Sequence, residues 1–128
     1  MVPTDGSQYS IKAAEYAAEI SKKFGAEVHL LNVISPSLIR GIRRKEKKSS
    51  QEAPKKTRKV FDGMGVNVIL RKPIRGHPAD TICDIVEKEK FDLIIMGNRG
   101  VSGVKAFLLG GVTDSVSNHA VCPVLIVR

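Results

Sequence analysis

Only two cysteines, Cys83 and Cys122, occur in the chain, and their spacing fits neither a disulfide framework nor a zinc ribbon. No apolar run approaches the roughly 18 residues that a membrane span requires. Met1-Val2-Pro3-Thr4-Asp5-Gly6 lacks the basic and apolar regions of a signal peptide. No internal repeat is visible. These absences point to a reduced, cytoplasmic protein without a membrane anchor. What is present is 128 residues, 42% hydrophobic and 27% charged, enough for one globular domain with a buried core and too apolar for a disordered chain.

The formal charge of +8 is concentrated in one stretch. Between Arg40 and Lys59 ten basic residues (Arg40, Arg43, Arg44, Lys45, Lys47, Lys48, Lys55, Lys56, Arg58, Lys59) face only Glu46 and Glu52, which leaves 11 basic and 11 acidic residues elsewhere. The rest of the domain is therefore neutral. The stretch has no aromatic residue to stack on bases, and Pro54 interrupts any long helix, so a solvated variable loop is the first reading. Attraction to an acidic partner, nucleic acid included, is the alternative.

Strand and helix signals alternate, the pattern of a parallel sheet covered by helices. Val28-His29-Leu30-Leu31-Asn32-Val33-Ile34, Val66-Asn67-Val68-Ile69-Leu70, Asp92-Leu93-Ile94-Ile95-Met96 and Val124-Leu125-Ile126-Val127 read as strands, with only Met1 to Thr4 left for a first one. Ser7 caps a helix whose Ala14, Ala17, Ala18 and Phe24 share one face, and Gly25 ends it. Pro78 opens a helix with Ala79, Ile82, Cys83 and Val86 on one stripe, which makes Cys83 a core residue. A short helix is expected from about Lys55 to Phe61 and a last one from Val112 or Thr113 to His119. The expected fold is a single-domain, five-stranded α/β sandwich spanning 1–128.

In such a sheet ligands bind beyond the carboxyl ends of the strands. There the chain carries Gly97-Asn98-Arg99-Gly100-Val101-Ser102-Gly103, and Gly110-Gly111 precede the last helix. Glycine lets backbone approach a ligand closely, and the free N–H groups of a helix start favour an anion. Glycines after buried strands also serve as plain turns. Walker A is absent, since Val104 rather than Lys follows Gly103, and no G-x-G-x-x-G follows a strand. His29, His77 and His119 lie on separate elements and propose no shared metal, and no Ser–His pair with an orienting acid can be assigned.

Gly97-x2-Gly100-x9-Gly110, followed by Gly111-Val112-Thr113, resembles the G-x2-G-x9-G-[Ser/Thr] ATP-binding pattern of universal stress proteins. Pro3-Thr4-Asp5-Gly6-Ser7, Leu30-Leu31-Asn32-Val33-Ile34, Gly76-His77-Pro78-Ala79 and His119-Ala120-Val121-Cys122-Pro123-Val124 resemble further signatures of the family, in its order. The resemblance implies a flavodoxin-like fold of the adenine-nucleotide alpha-hydrolase type, with strand order 3-2-1-4-5 and helices on both faces of the sheet. It also implies the site. Asp5 and the backbone of Val33 would face adenine, with Pro3 and Thr4 beside them. Met96, Gly97, Asn98, Arg99 and Gly100 would line ribose and phosphates, and Gly110, Gly111, Val112 and Thr113 would offer helix-start amides. The implied cofactor is ATP, with or without Mg2+. ADP, AMP and cyclic nucleotides stay open.

The sequence departs from the pattern twice. Gly111 stands where the family has Ser or Thr, so a hydroxyl donor is lost, and Thr113 replaces it only if it points inward. The segment before Pro3 is also shorter than in the family, which points to a trimmed or mis-assigned start and to low stability unless a partner covers the gap. The resemblance implies a homodimer through the apolar edge strand 124–127. The expected function is regulatory ATP binding in a stress response through contacts with a protein partner, with slow ATP hydrolysis as the most enzymatic outcome. Two rivals stand beside it: a nucleotide-independent homodimeric interaction module with a degenerate site, and nucleic-acid binding through the basic loop.

Overall fold

The computed structural model describes residues 1–36, 52–101 and 109–128. In chain order these give β1 (Val2–Pro3), α1 (Gln8–Phe24), β2 (Val28–Leu31), β3 (Val33–Ile34) and α2 (52–58), which runs on into a 3-10 turn at Lys59–Phe61. Then follow β4 (Val68–Leu70), β5 (Ile74–Arg75), α3 (Pro78–Lys88), β6 (Ile94–Gly97), α4 (Gly111–His119) and β7 (Val124–Val127). Pro54 lies within α2. Residues 37–51, and with them the basic positions from Arg40 to Lys48, lie outside the described residues, as do Ser102 and Gly103.

Every described strand pairing is parallel, as the alternating pattern predicts. The strands form three ladders, β1-β2-β4, β3-β5 and β6-β7, rather than one hydrogen-bonded five-stranded sheet. Two local causes are visible. Asn32 divides the expected 28–34 strand into β2 and β3, because its buried side chain turns aside and donates from Nδ2 to the Thr4 carbonyl at 2.7 Å. β1 is only two residues long, so β6 meets it through the Ile95 amide on the Met1 carbonyl, 3.0 Å, and the Met1 amine on the Leu93 carbonyl, 2.9 Å.

Side-chain alternation in the strands separates two apolar layers. Val2, Leu30 and Ile95 pack with Ala13, Ala14, Ala17 and Ala18 of α1, while Met1, Leu31, Ile94 and Met96 pack with Ile82 and Val86 of α3 and Val116 of α4. Helices therefore cover both faces. Ser7 caps α1 by accepting the Ser10 amide, and Gly25 ends it in the left-handed region at φ 66°. Phe24 corrects the expected apolar face of α1: it is 72% exposed, with the Lys23 ammonium 5.8 Å from its ring centroid, and Ala13 completes the buried stripe instead. The last residue of a helix overhangs the sheet, so spacing alone does not bury it. Cys83 is half-buried against the second layer, and desolvation pushes its thiol above the ordinary range.

Candidate functional site

The carboxyl ends of β1, β3 and β6 open on a cavity of about 390 Å³. Twelve of the thirteen residues expected at a ligand line it: Pro3, Thr4 and Asp5 from β1 and its loop, Val33 from β3, Met96, Gly97, Arg99 and Gly100 from β6 and its loop, and Gly110, Gly111, Val112 and Thr113 at the start of α4. Asn98 is the exception. Its amide donates to the Val127 carbonyl and its carbonyl accepts the Gly110 amide, both at 2.8 Å, while its buried Oδ1 has no hydrogen-bond partner among the described residues. The backbone of Asn98 thus joins the two glycine segments without facing the cavity.

That junction decides whether the glycines form one site. Besides the Gly110–Asn98 hydrogen bond, a Cβ at position 110 would stand 3.3 Å from the Arg99 Cα, so the segments touch through backbone. Gly110 caps α4 with no side-chain hydrogen bond to the helix, and α4 begins at Gly111. The first amides of α4 have no intrahelical acceptor, and the residues that carry them line the cavity, where the helix dipole favours negative charge.

Side chains finish the walls. The Thr4 hydroxyl lies 2.7 Å from that of Thr57 and donates to Ser10 at 3.1 Å, so it belongs to a buried polar cluster under the cavity. Thr113, 3% exposed, donates its hydroxyl to the Gly97 carbonyl at 2.9 Å. Its proton is committed to the protein, and it does not supply the donor that Gly111 lacks. The Arg99 guanidinium sits 5.6 Å from the Tyr9 ring centroid, a cation–π distance, and is the described cationic side chain of the lining. Asp5 accepts the Ser7 amide at 3.0 Å and the Val101 amide at 2.8 Å.

Ser10, Leu31, Ser35, Pro78, Ile82 and Val101 line the cavity too and were not expected there. Ile82 reads as core by its helical stripe, and nothing in one dimension says that the first turn of α3 faces the strand ends. The histidines stay apart: His29 Nε2 meets Glu27 at 2.6 Å, His77 precedes α3, and His119 Nδ1 lies 2.8 Å from the Ser115 carbonyl. Among the described residues no group of three or more His, Cys, Asp or Glu side chains is placed to hold a metal ion, and no helix is long and apolar enough to cross a membrane.

Residues 1–128 match the model of the universal stress protein family along their whole length. The chain belongs to this family. Universal stress protein MJ0531 of Methanocaldococcus jannaschii is 39% identical, the match covering 100% of this chain and 80% of that one. Among solved structures, universal stress protein UspA from Lactobacillus plantarum superposes with a TM-score of 0.81 at 25% identity, covering 99% of this chain and 94% of the other. A universal stress protein solved in complex with cAMP superposes with a TM-score of 0.74 at 26% identity, again covering 99% and 94%. The family's α/β architecture, with parallel strands between helical layers, is the one described here.

Proposed function

We propose that this universal stress protein binds an adenine nucleotide in the cavity between β1 and β6 and changes its contacts with a protein partner according to occupancy, in the cytoplasm. The observation that carries the reading is the joining of the two glycine segments at Gly110 and Asn98, which brings the open start of α4 to the same cavity as Asp5 and Arg99. The relative solved with cAMP supports an adenine ligand for this chain. Pro3, Thr4 and Val33 border the base, Met96, Gly97 and Arg99 the ribose and first phosphate, and Gly110, Gly111, Val112 and Thr113 the phosphate tail, with Asn98 behind them. Asp5 faces the base beside Val33, and Gly100 lines the ribose and phosphates with Met96, Gly97 and Arg99. ATP is the ligand we assign, and its binding rather than its hydrolysis is the working step.

We infer also that the three ladders act as one sheet in the order 3-2-1-4-5, since the Ile95–Met1 hydrogen bond joins β6 to β1. β7 then lies at the edge, with β6 as its described neighbour and Leu125 36% exposed, which supports a homodimer through residues 124–127. Equilibrium dialysis against ATP, together with identification of small molecules released when the purified protein is denatured, tests the ligand. Adenine nucleotide in the released fraction is the expected result, and failure to bind any adenine nucleotide leaves only the scaffold and favours a nucleotide-independent interaction module.

A further inference from the structure

Thr57 of α2 is 0% exposed, and its hydroxyl lies 2.7 Å from that of Thr4. The direction of this hydrogen bond follows from counting protons, since each hydroxyl has one to give. Ser10 donates its own to the Ser7 carbonyl at 3.0 Å, so it accepts from Thr4 at 3.1 Å, and the Thr4 proton is thereby spent. Thr57 is the donor. A threonine inside a helix ordinarily turns its hydroxyl back on a carbonyl of the preceding turn, whereas Thr57 gives its proton to the end of β1. Thr4 also accepts the Gly6 amide at 3.3 Å, donates its own amide to the Leu31 carbonyl at 2.8 Å and accepts Asn32 Nδ2 at its carbonyl. Every polar group of Thr4 is engaged.

The residues so held are a wall of the cavity. Thr4, Asp5 and Ser10 line it, and Thr57, outside the described lining, reaches it through Thr4. α2 meets the same segment twice more. A Cβ on Gly6, at φ 78°, would stand 3.0 Å from the Ala53 Cβ, and the Lys56 ammonium donates to the Gly6 carbonyl at 3.4 Å. Ala53 and Thr57, one helical turn apart, thus seat α2 on residues 4–6, while Glu52, Lys55 and Lys56 stay exposed. We propose that Thr57 is a positioning residue for the cavity: its hydroxyl clamps α2 to residues 4–6, so that ligand binding and the seating of α2 are linked. The proposal rests on the nucleotide reading above and names the element through which occupancy reaches the surface. A ligand that needs the wall in this shape favours seated α2, and by reciprocity seated α2 favours the ligand by the same factor. The exposed side chains of α2 are where a partner meets the change.

Three variants supply the test. Thr57→Val keeps the shape of the side chain and removes the donor, and Thr57→Ser keeps the donor. Val28→Ala, in the core at the start of β2 and outside the described lining, lowers stability without touching the wall. Titration calorimetry with adenosine and with ATP is run on the full chain and each variant, and amide exchange at residues 56–58 is measured by NMR with and without saturating adenosine. Loss of one neutral hydrogen bond corresponds to about fivefold in an equilibrium constant. Thr57→Val is expected to weaken adenosine and ATP alike by about that factor and to speed ligand-free exchange at 56–58 by as much, while Thr57→Ser and Val28→Ala bind within about twofold of the parent. Adenosine is expected to slow exchange at 56–58 in the parent, which a merely structural hydroxyl would not bring about. Parent-like binding by Thr57→Val, a Thr57→Ser as weak as Thr57→Val, equal weakening in Val28→Ala, or exchange at 56–58 indifferent to adenosine overturns the positioning role and leaves the nucleotide reading standing. A parent that binds neither adenosine nor ATP removes the nucleotide reading, and the positioning role with it.

Discussion

Gly97 at the end of β6 faces the backbone of Tyr9 so closely that a Cβ at position 97 would stand 2.7 Å from the Tyr9 carbonyl carbon and 2.8 Å from its oxygen. The contact is how α1 approaches the sheet. Ala13, Ala14, Ala17 and Ala18 present small side chains, and the missing side chain of Gly97 lets the first turn of the helix settle onto the strand end. Position 97 is therefore constrained by packing as well as by its place in the cavity wall.

Gly97→Ala is accordingly expected to destabilise the fold. The obstructing atoms are backbone, which cannot rotate away, so the cost belongs with overpacked cores at about 1–3 kcal/mol. Denaturant unfolding should show the midpoint moving down with the slope unchanged. A midpoint equal to that of the parent would mean that α1 can retreat from β6 without loss.

Glu89 and Arg71 give a pH-dependent contribution. The Arg71 guanidinium donates to both oxygens of the Glu89 carboxylate, at 2.6 Å for the Nη1–Oε2 pair, and this hydrogen bonding holds the Glu89 pKa below its ordinary value. A carboxylate with a depressed folded pKa binds fewer protons folded than unfolded. Its stabilisation is thus complete above the unfolded pKa and disappears as pH falls through the folded one. The pair is partly exposed, so the effect is about 0.2–1 kcal/mol. Glu89→Gln should lower stability by that amount at neutral pH and leave it unchanged at low pH, when parent and variant are compared by urea unfolding. Equal differences at both pH values would contradict the assignment.

Leu125 tests the edge of the sheet. It is 36% exposed on β7, with Val121 65% exposed shortly before it, and a charged side chain on an edge strand is an established obstacle to strand pairing. Leu125→Lys should leave the thermal midpoint of the subunit near that of the parent and halve the mass seen by analytical ultracentrifugation. A parent chain that sediments as a monomer at high concentration would remove the homodimer from the proposed function.

The ends of α1 were readable because they rest on local chemistry, a Ser7 side chain accepting a first-turn amide and a Gly25 that adopts positive φ. β7 was readable because Pro123 and the apolar run after it state both its start and its composition. β5 was not. Ile74 and Arg75 follow Pro73 with no periodicity, and they are a strand because Val33 and Ile34 lie alongside. The division at Asn32 was hidden for the same reason, since it depends on a Thr4 carbonyl 28 residues away. At the site, the glycine spacing marked the loops that converge, whereas the wall formed by Ser10, Pro78 and Ile82 depends on how helices begin relative to strand ends. Periodicity records faces of elements and carries no information on that.

Gly111 separates a weakened nucleotide site from an abandoned one. A Cβ built there meets nothing within 4 Å among the described residues, which leave room for the serine or threonine that the family pattern carries. The neighbouring Thr113 hydroxyl is bound to the Gly97 carbonyl and cannot serve instead. Because residue 111 is the first of α4 and lines the cavity, a serine there would add an O–H donor beside the helix-start amides. One hydrogen bond to a charged group contributes about 1.5–3 kcal/mol, so Gly111→Ser should tighten ATP binding by roughly one to two orders of magnitude in calorimetry. Adenosine, which carries no phosphate, should bind parent and variant alike. If ATP affinity does not rise although the variant is folded, the phosphate tail does not reach α4, and the assignment of Gly110 to Thr113 as its cradle is lost.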